Sequence, residues 1–218
     1  MKIRANGVEL HYEKSGGGRP LFLLHGNGED HRIFDSIAPL LSRDFAVYAI
    51  DSRNHGESSK TEVYDYDVMA EDITAFAREL KLKKINAVGF SDGAIIALIM
   101  AMKSGGIIER MALLGVNLKP GDLTEEAYGY IKGTYERTKD PLFKLMLEQP
   151  NIEIGDITGV EVPTLVVASD DDICGPEFYA GISKALPNAE MKIMKGFGHD
   201  GYIAGSDILY PDLIRFFS

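Results

Sequence analysis

Cysteine is almost absent from this chain: Cys174 is the only one. A single thiol excludes an intramolecular disulfide and a cysteine-rich metal centre. Long apolar runs are missing too. The longest, residues 94–102, falls far short of the roughly 20 residues that cross a bilayer, so no membrane partner is expected. Residues 1–7 lack the apolar stretch of a secretion signal, which makes a cytoplasmic location the expectation. Positive charge is also short, with 23 Lys and Arg against 33 Asp and Glu and a net charge of −10. No basic cluster offsets that balance. Such a surface repels phosphate backbones, and no nucleic-acid partner is expected. Internal repeats and low-complexity segments are likewise missing.

What is present is an ordinary globular composition, 45% hydrophobic and 26% charged, over 218 residues. That length favours one compact domain with a full core. Asn6-Gly7 between two strand-like stretches predicts an N-terminal hairpin. The glycines at 16–18 precede a strand, and no Gly-Lys-Ser/Thr follows, which rules out a phosphate loop. Short apolar strands are predicted at residues 21–24, 46–50, 85–88, 110–115, 163–168 and 191–194. Helical spacing is predicted over 32–41, 68–80, 94–102, 177–186 and 207–217. Strands alternating with helices give a mostly parallel sheet covered on both faces. Residues 118–156 break the alternation with two helices, one capped by Thr124 and one led by Pro141, which predicts a helical insertion over the carboxyl edge of the sheet.

In sheets of this kind, function collects just outside the carboxyl ends of the strands. Gly89-Phe90-Ser91-Asp92-Gly93 lies at one such end, between a buried strand and an apolar helix, and fits G-x-S-x-G. Glycines at both ends let the turn close tightly and leave the serine hydroxyl exposed, while the next N–H stands free at the helix start. The plainer reading is a helix-capping serine. A serine nucleophile needs a base in contact. Of the five histidines, His11 sits on the hairpin and His31 starts a surface helix, whereas His25 and His55 lie in glycine turns where holding the loop is the expected role. His199, bracketed by Gly198 and Gly201 after the last strand, is the predicted base. Asp170, Asp171 and Asp172 follow the preceding strand and are candidates to orient it, unless they are only a solvated loop. They lack the glycine and distal glutamate of a calcium loop.

These motifs together resemble the α/β-hydrolase superfamily over nearly the whole chain. His25-Gly26-Asn27-Gly28 is similar to its HGxG turn, residues 51–58 to its D-x-R-G-x-G-x-S loop (with Asn54 and His55 displaced), and Gly89–Gly93 to its nucleophile elbow. The resemblance implies an α/β-hydrolase fold: a mostly parallel central sheet with helices on both faces, residues 1–117 and 157–218 as core, and residues 118–156 as a small helical cap. It aligns Asp172 with the family's acid, with Asp171 as the alternative, and His199 with its terminal histidine. The implied triad is Ser91, Asp172 and His199, and the implied oxyanion donors are the backbone N–H groups of Asn27 and Asp92. Ser91 argues against branches with an aspartate nucleophile, the haloalkane dehalogenases and epoxide hydrolases.

The implied activity is hydrolysis of small carboxylic esters through an acyl-enzyme, with a small-molecule ester as partner and no cofactor or metal. Carbon–carbon bond hydrolases, thioesterases and perhydrolases use the same triad, and a non-catalytic binder of the same fold is the remaining alternative. Tyr128, Tyr130, Tyr135, Phe143, Leu145 and Met146 are candidate pocket walls. The Ser91-Asp92-Gly93 elbow resembles that of biphenyl-hydrolase-like enzymes, some of which act on amino-acid esters. This makes Asp92 either an attractor for a cationic substrate or a favourable charge at the helix N-terminus.

Overall fold

The computed structural model describes residues 1–103 and 105–218. Eight strands form one sheet in the order β1-β2-β4-β3-β5-β6-β7-β8. Strands β1 (Lys2–Ala5) and β2 (Val8–Ser15) make the expected hairpin: Ala5 pairs with Val8, and Asn6 and Gly7 both take positive φ between them. β2 then runs antiparallel to β4 (Phe45–Ile50). All later neighbours are parallel: β3 (Arg19–Leu24), β5 (Ile85–Phe90), β6 (Ile108–Leu114), β7 (Thr164–Asp171) and β8 (Ala189–Gly198).

One face packs against α2 (Tyr66–Glu79), α3 (Asp92–Lys103) and α6 (Pro176–Ala185). The other is covered by a 3-10 turn, His31–Phe34, by the short α1 (Ala38–Leu41) and by α7 (Tyr210–Phe217). The doubly wound architecture therefore follows the sequence pattern. α3 is apolar nearly all round because it lies between the sheet and α2, which leaves no face for water. Among the described residues, no helix is long and apolar enough to cross a membrane.

Several element boundaries differ from expectation. The single helix predicted over 32–41 is two pieces, because Pro39 has no N–H to donate and its ring excludes the carbonyl four residues back. α7 begins at Tyr210 rather than 207, with Pro211 in its first turn. β7 and β8 both run further than their apolar cores. Their pairing passes through a register shift and continues to Asp171 opposite Gly198, so residues 169–171 and 196–198 are strand rather than loop.

Between β6 and β7 lie the predicted helices, α4 (Glu125–Thr138) and α5 (Pro141–Glu148). Thr124 caps α4 through the N–H of Ala127, and Asp140 caps α5 through that of Leu142. The segment is tied at its base, where Ile152 N–H donates to Leu118 O at 2.9 Å. Gln149 also meets the start of α2, accepting from Tyr66 N–H and donating to Asp65.

Candidate active site

At the elbow, Ser91 adopts φ 52°, a left-handed backbone uncommon for a residue with a side chain. The two flanking glycines are required by contact. A Cβ on Gly89 would stand 2.2 Å from Gly93 O, and one on Gly93 would stand 2.0 Å from Leu24 O. The backbone is pinned from the neighbouring strand by Ser91 N–H to Leu114 O at 2.8 Å. Ser91 thus sits on a strained turn at the position that opens α3: its C=O accepts from Ala94 and Ile95 N–H at 2.9 and 3.1 Å, and Asp92 follows in the first turn, where backbone N–H groups have no intrahelical acceptor.

Asp172 and His199, the expected acid and base, are brought together by strand register. Because Asp171 pairs with Gly198, the next residues, Asp172 and His199, leave β7 and β8 side by side. His199 Nδ1 and Asp172 Oδ1 are 2.6 Å apart, and the Asp172 side chain is fully buried. Ser169 N–H donates to Asp172 Oδ2 and Ile173 N–H to Oδ1, both at 2.8 Å. Burial alone would raise the Asp172 carboxyl, but the bond from the His199 ring, the charge of that ring and these two N–H groups hold it below the ordinary carboxylate range. Asp170 turns the other way and accepts from Gly196 N–H, and Asp171 is exposed. Of the three adjacent acids, Asp172 is the one on the histidine.

Two contacts that sequence reasoning missed fix the imidazole. Its ring lies on Phe90, with centroids 4.8 Å apart. It also fills the place of a side chain at Gly115, where a Cβ would stand 2.5 Å from His199 Cε1. The available signal was a glycine directly after β6.

The turn at residues 25–28, where an oxyanion donor is expected, is built from both sides. The His25 ring is buried, and burial together with the neighbouring His55 pushes it down to about 4. Its neutral Nε2 accepts from Ser52 N–H at 3.0 Å and its Nδ1–H donates to Gly26 O at 2.7 Å, the loop-holding role expected of it. His55 similarly donates to Arg53 O, and Arg53 makes a buried bidentate pair with Asp72. Glu29 returns to accept from Gly26 N–H at 2.9 Å, and burial pushes its carboxyl up to about 7.

Asp92 does not serve as an exposed attractor. It is 4% exposed, with Tyr66 OH donating to Oδ1 at 2.7 Å and Asn27 Nδ2 to Oδ2 at 2.9 Å. Burial still raises its carboxyl against these two donors. The second hydrogen on Asn27 Nδ2 is directed at Leu142 O on α5, at 3.2 Å. One side chain thus joins the elbow, the turn at residues 25–28 and the helix above them. Tyr66 and Leu142 were not anticipated, because their partners lie 26 and 115 residues away.

Ser91, Asn27, Asp172 and His199 line one cavity of about 680 Å³. Its roof comes from α4 and α5: Tyr130, Phe143 and Met146 as predicted, with Ala127 and Ile131 in addition. Leu145 instead points into the core, Tyr128 is largely exposed, and Tyr135 lies against Lys139. The charged groups on the cavity wall are Glu29, Glu126, Asp171, Asp172, Asp200 and His199, with no lysine or arginine among its lining residues. Cys174 is buried, and burial pushes its thiol up to about 12, which leaves it unreactive.

A family profile for the alpha/beta hydrolase fold matches residues 19–145. The chain belongs to this family. Among its relatives, the human serine hydrolase BPHL is 28% identical over 94% of this chain and 82% of its own length. Among solved structures, the meta-cleavage product hydrolase CumD of Pseudomonas fluorescens superposes with a TM-score of 0.84 at 22% identity, covering 100% of this chain and 97% of that one. A thermophilic esterase of Thermogutta terrifontis gives 0.83 at 20% identity, covering 100% and 98%. These two neighbours carry different chemistry on the same fold, so for the hydrolase-family chain described here they speak to architecture alone.

Proposed function

We propose that this hydrolase-family protein is a serine hydrolase that cleaves small carboxylic esters through an acyl-enzyme. The observation that carries the reading is the 2.6 Å Asp172–His199 pair in the cavity that also holds Ser91 on its strained elbow. An ionised Asp172 accepts only, so it fixes the proton on Nδ1 and leaves Nε2 as the base. Nε2 takes the Ser91 proton as Oγ attacks the ester carbonyl, then returns it to the leaving alcohol. Water repeats the cycle and releases the acid. The oxyanion is received by the backbone N–H groups of Asn27 and Asp92; in comparable sites one such donor contributes about 3 kcal/mol. In this reading residues 118–156 are the cap over a core of 1–117 and 157–218, and the chemistry needs no cofactor.

The carboxylates on the cavity wall and its lack of basic side chains favour a neutral or cationic ester over an anionic one. Labelling with a fluorophosphonate probe, lost in Ser91→Ala, is the expected result, together with turnover of p-nitrophenyl acetate well above that of its hemisuccinate analogue. Failure to label or to hydrolyse any member of a p-nitrophenyl ester series would defeat the proposal.

A further inference from the structure

A second cluster of ionisable side chains lies at the far end of the same turn, outside the cavity. His11 and Glu13 are two apart on β2 and therefore share a face of the sheet. Asp51, the residue after β4, is fully buried beneath them. Its Oδ1 accepts from His31 N–H and faces His31 Nδ1, both at 2.8 Å; its Oδ2 accepts from Glu57 N–H at 2.9 Å and faces His11 Nδ1 at 3.2 Å. A carboxylate that takes two backbone N–H groups is an acceptor, so both rings must donate to it from Nδ1. In the neutral rings that leaves a lone pair on each Nε2.

The orientation sets up a conflict. His11 Nε2 faces Glu13 Oε1 at 3.3 Å and Glu57 Oε2 at 3.9 Å. Oε1 of Glu13 also lies 3.6 Å from the Met1 ammonium, but between Glu13 and the ring, lone pair meets lone pair unless a proton or a metal cation lies there. His11, Glu13 and His31 each bring a ligand atom to within 4.8 Å of the other two. A zinc-type ion with bonds of about 2.0–2.1 Å in a tetrahedron requires donors roughly 3.3 Å apart. The His11–Glu13 spacing already meets that requirement.

We propose that His11, His31 and Glu13 form a binding site for a divalent transition-metal cation of the zinc type, with Asp51 as the buried carboxylate that orients both imidazoles. Two imidazoles and a carboxylate are a donor set that suits such an ion, and a carboxylate behind a metal-binding histidine is its usual support. Glu57 stands within reach as a fourth donor. The ion fastens β2 to the 3-10 turn that begins at His31, directly behind the segment carrying Asn27. Its role is structural, and the bound state is the more stable one.

The test uses the full chain, freed of metal by chelation and titrated with ZnCl2 in a calorimeter. One Zn2+ per chain is expected, and it should raise the melting temperature and shift the ring signals of His11 and His31 in NMR spectra. Glu13→Gln, a change at an exposed side chain, should weaken binding by about tenfold or more and abolish the thermal gain. His31→Gln should do the same. Zn2+ binding that Glu13→Gln leaves untouched would place the ion elsewhere and overturn the proposal. So would ring signals that ignore Zn2+, because a proton shared by His11 and Glu13 would then explain the geometry.

Discussion

α3 and α4 are both regular helices beside the cavity, yet they are held in opposite ways. From Asp92 to Met100 every residue of α3 is buried, and glycine serves there only where backbones touch. α4 buries Ile131 and Thr134 alone, and it carries Gly129 and Gly133, around which an added Cβ would meet nothing within 4 Å. Each of those glycines weakens the helix by about 1 kcal/mol relative to alanine. The serine side of the cavity is thus fixed by collisions that permit one arrangement. The roof rests on few contacts and a helix of low intrinsic stability. On the proposed function, rigidity is spent where bonds are made and looseness is kept where substrates enter.

Substitutions that exchange these properties test the contrast, and the largest effect belongs to the elbow. Gly93→Ala sets a methyl against the Leu24 carbonyl, backbone on backbone, and should cost more than about 4 kcal/mol in urea unfolding. A loss below 1 kcal/mol would show the turn to be far more pliable than its contacts imply. Next comes the junction. Asn27→Ala keeps the backbone N–H but removes the links to Asp92 and Leu142, so kcat on the best p-nitrophenyl ester should fall roughly tenfold to a hundredfold with KM little changed. An unaltered kcat would mean the turn holds its shape without them.

The roof should respond in the other direction. Gly133→Ala is expected to stabilise α4 by about 1 kcal/mol, read as roughly fivefold slower amide exchange along that helix. Faster exchange would contradict the open space around the glycine. The remaining test is at Glu29. Its carboxyl titrates near 4.5 when unfolded and is pushed up to about 7 in the native protein. Between those values the native state keeps a proton that the unfolded chain has released, so its contribution to stability falls as pH rises. Glu29→Gln should flatten the decline in melting temperature between pH 5 and 7 by a few degrees. An identical slope in the variant would remove Glu29 as its source.

How much of this was legible in the sequence depended on distance along the chain. The Asn6-Gly7 hairpin, the Ser91 elbow, the cap at Thr124 and the start of α5 at Pro141 are decided within a few residues, and local chemistry sufficed. The broken helix at Pro39 was equally local, but apolar spacing was allowed to outweigh a proline. What escaped was fixed by pairing between distant segments. Asp172 was singled out over its neighbours by the family resemblance alone, and the physical cause stayed hidden: the register that sets Asp171 opposite Gly198. The surroundings of Asp92 escaped for the same reason: Tyr66 and Asn27 take up its oxygens, and of its two expected roles the structure keeps the charge at the start of α3. Three of the six proposed wall residues face the cavity, because helical spacing identifies a face of α4 or α5 without saying what lies opposite it.

The bond from Asn27 to Leu142 has a consequence for turnover. On the proposed function, any outward movement of α5 that admits an ester draws the Leu142 carbonyl away from that amide and loosens the strap on the loop proposed to receive the negative oxygen. On that reading, admission and attack are successive states of a single latch.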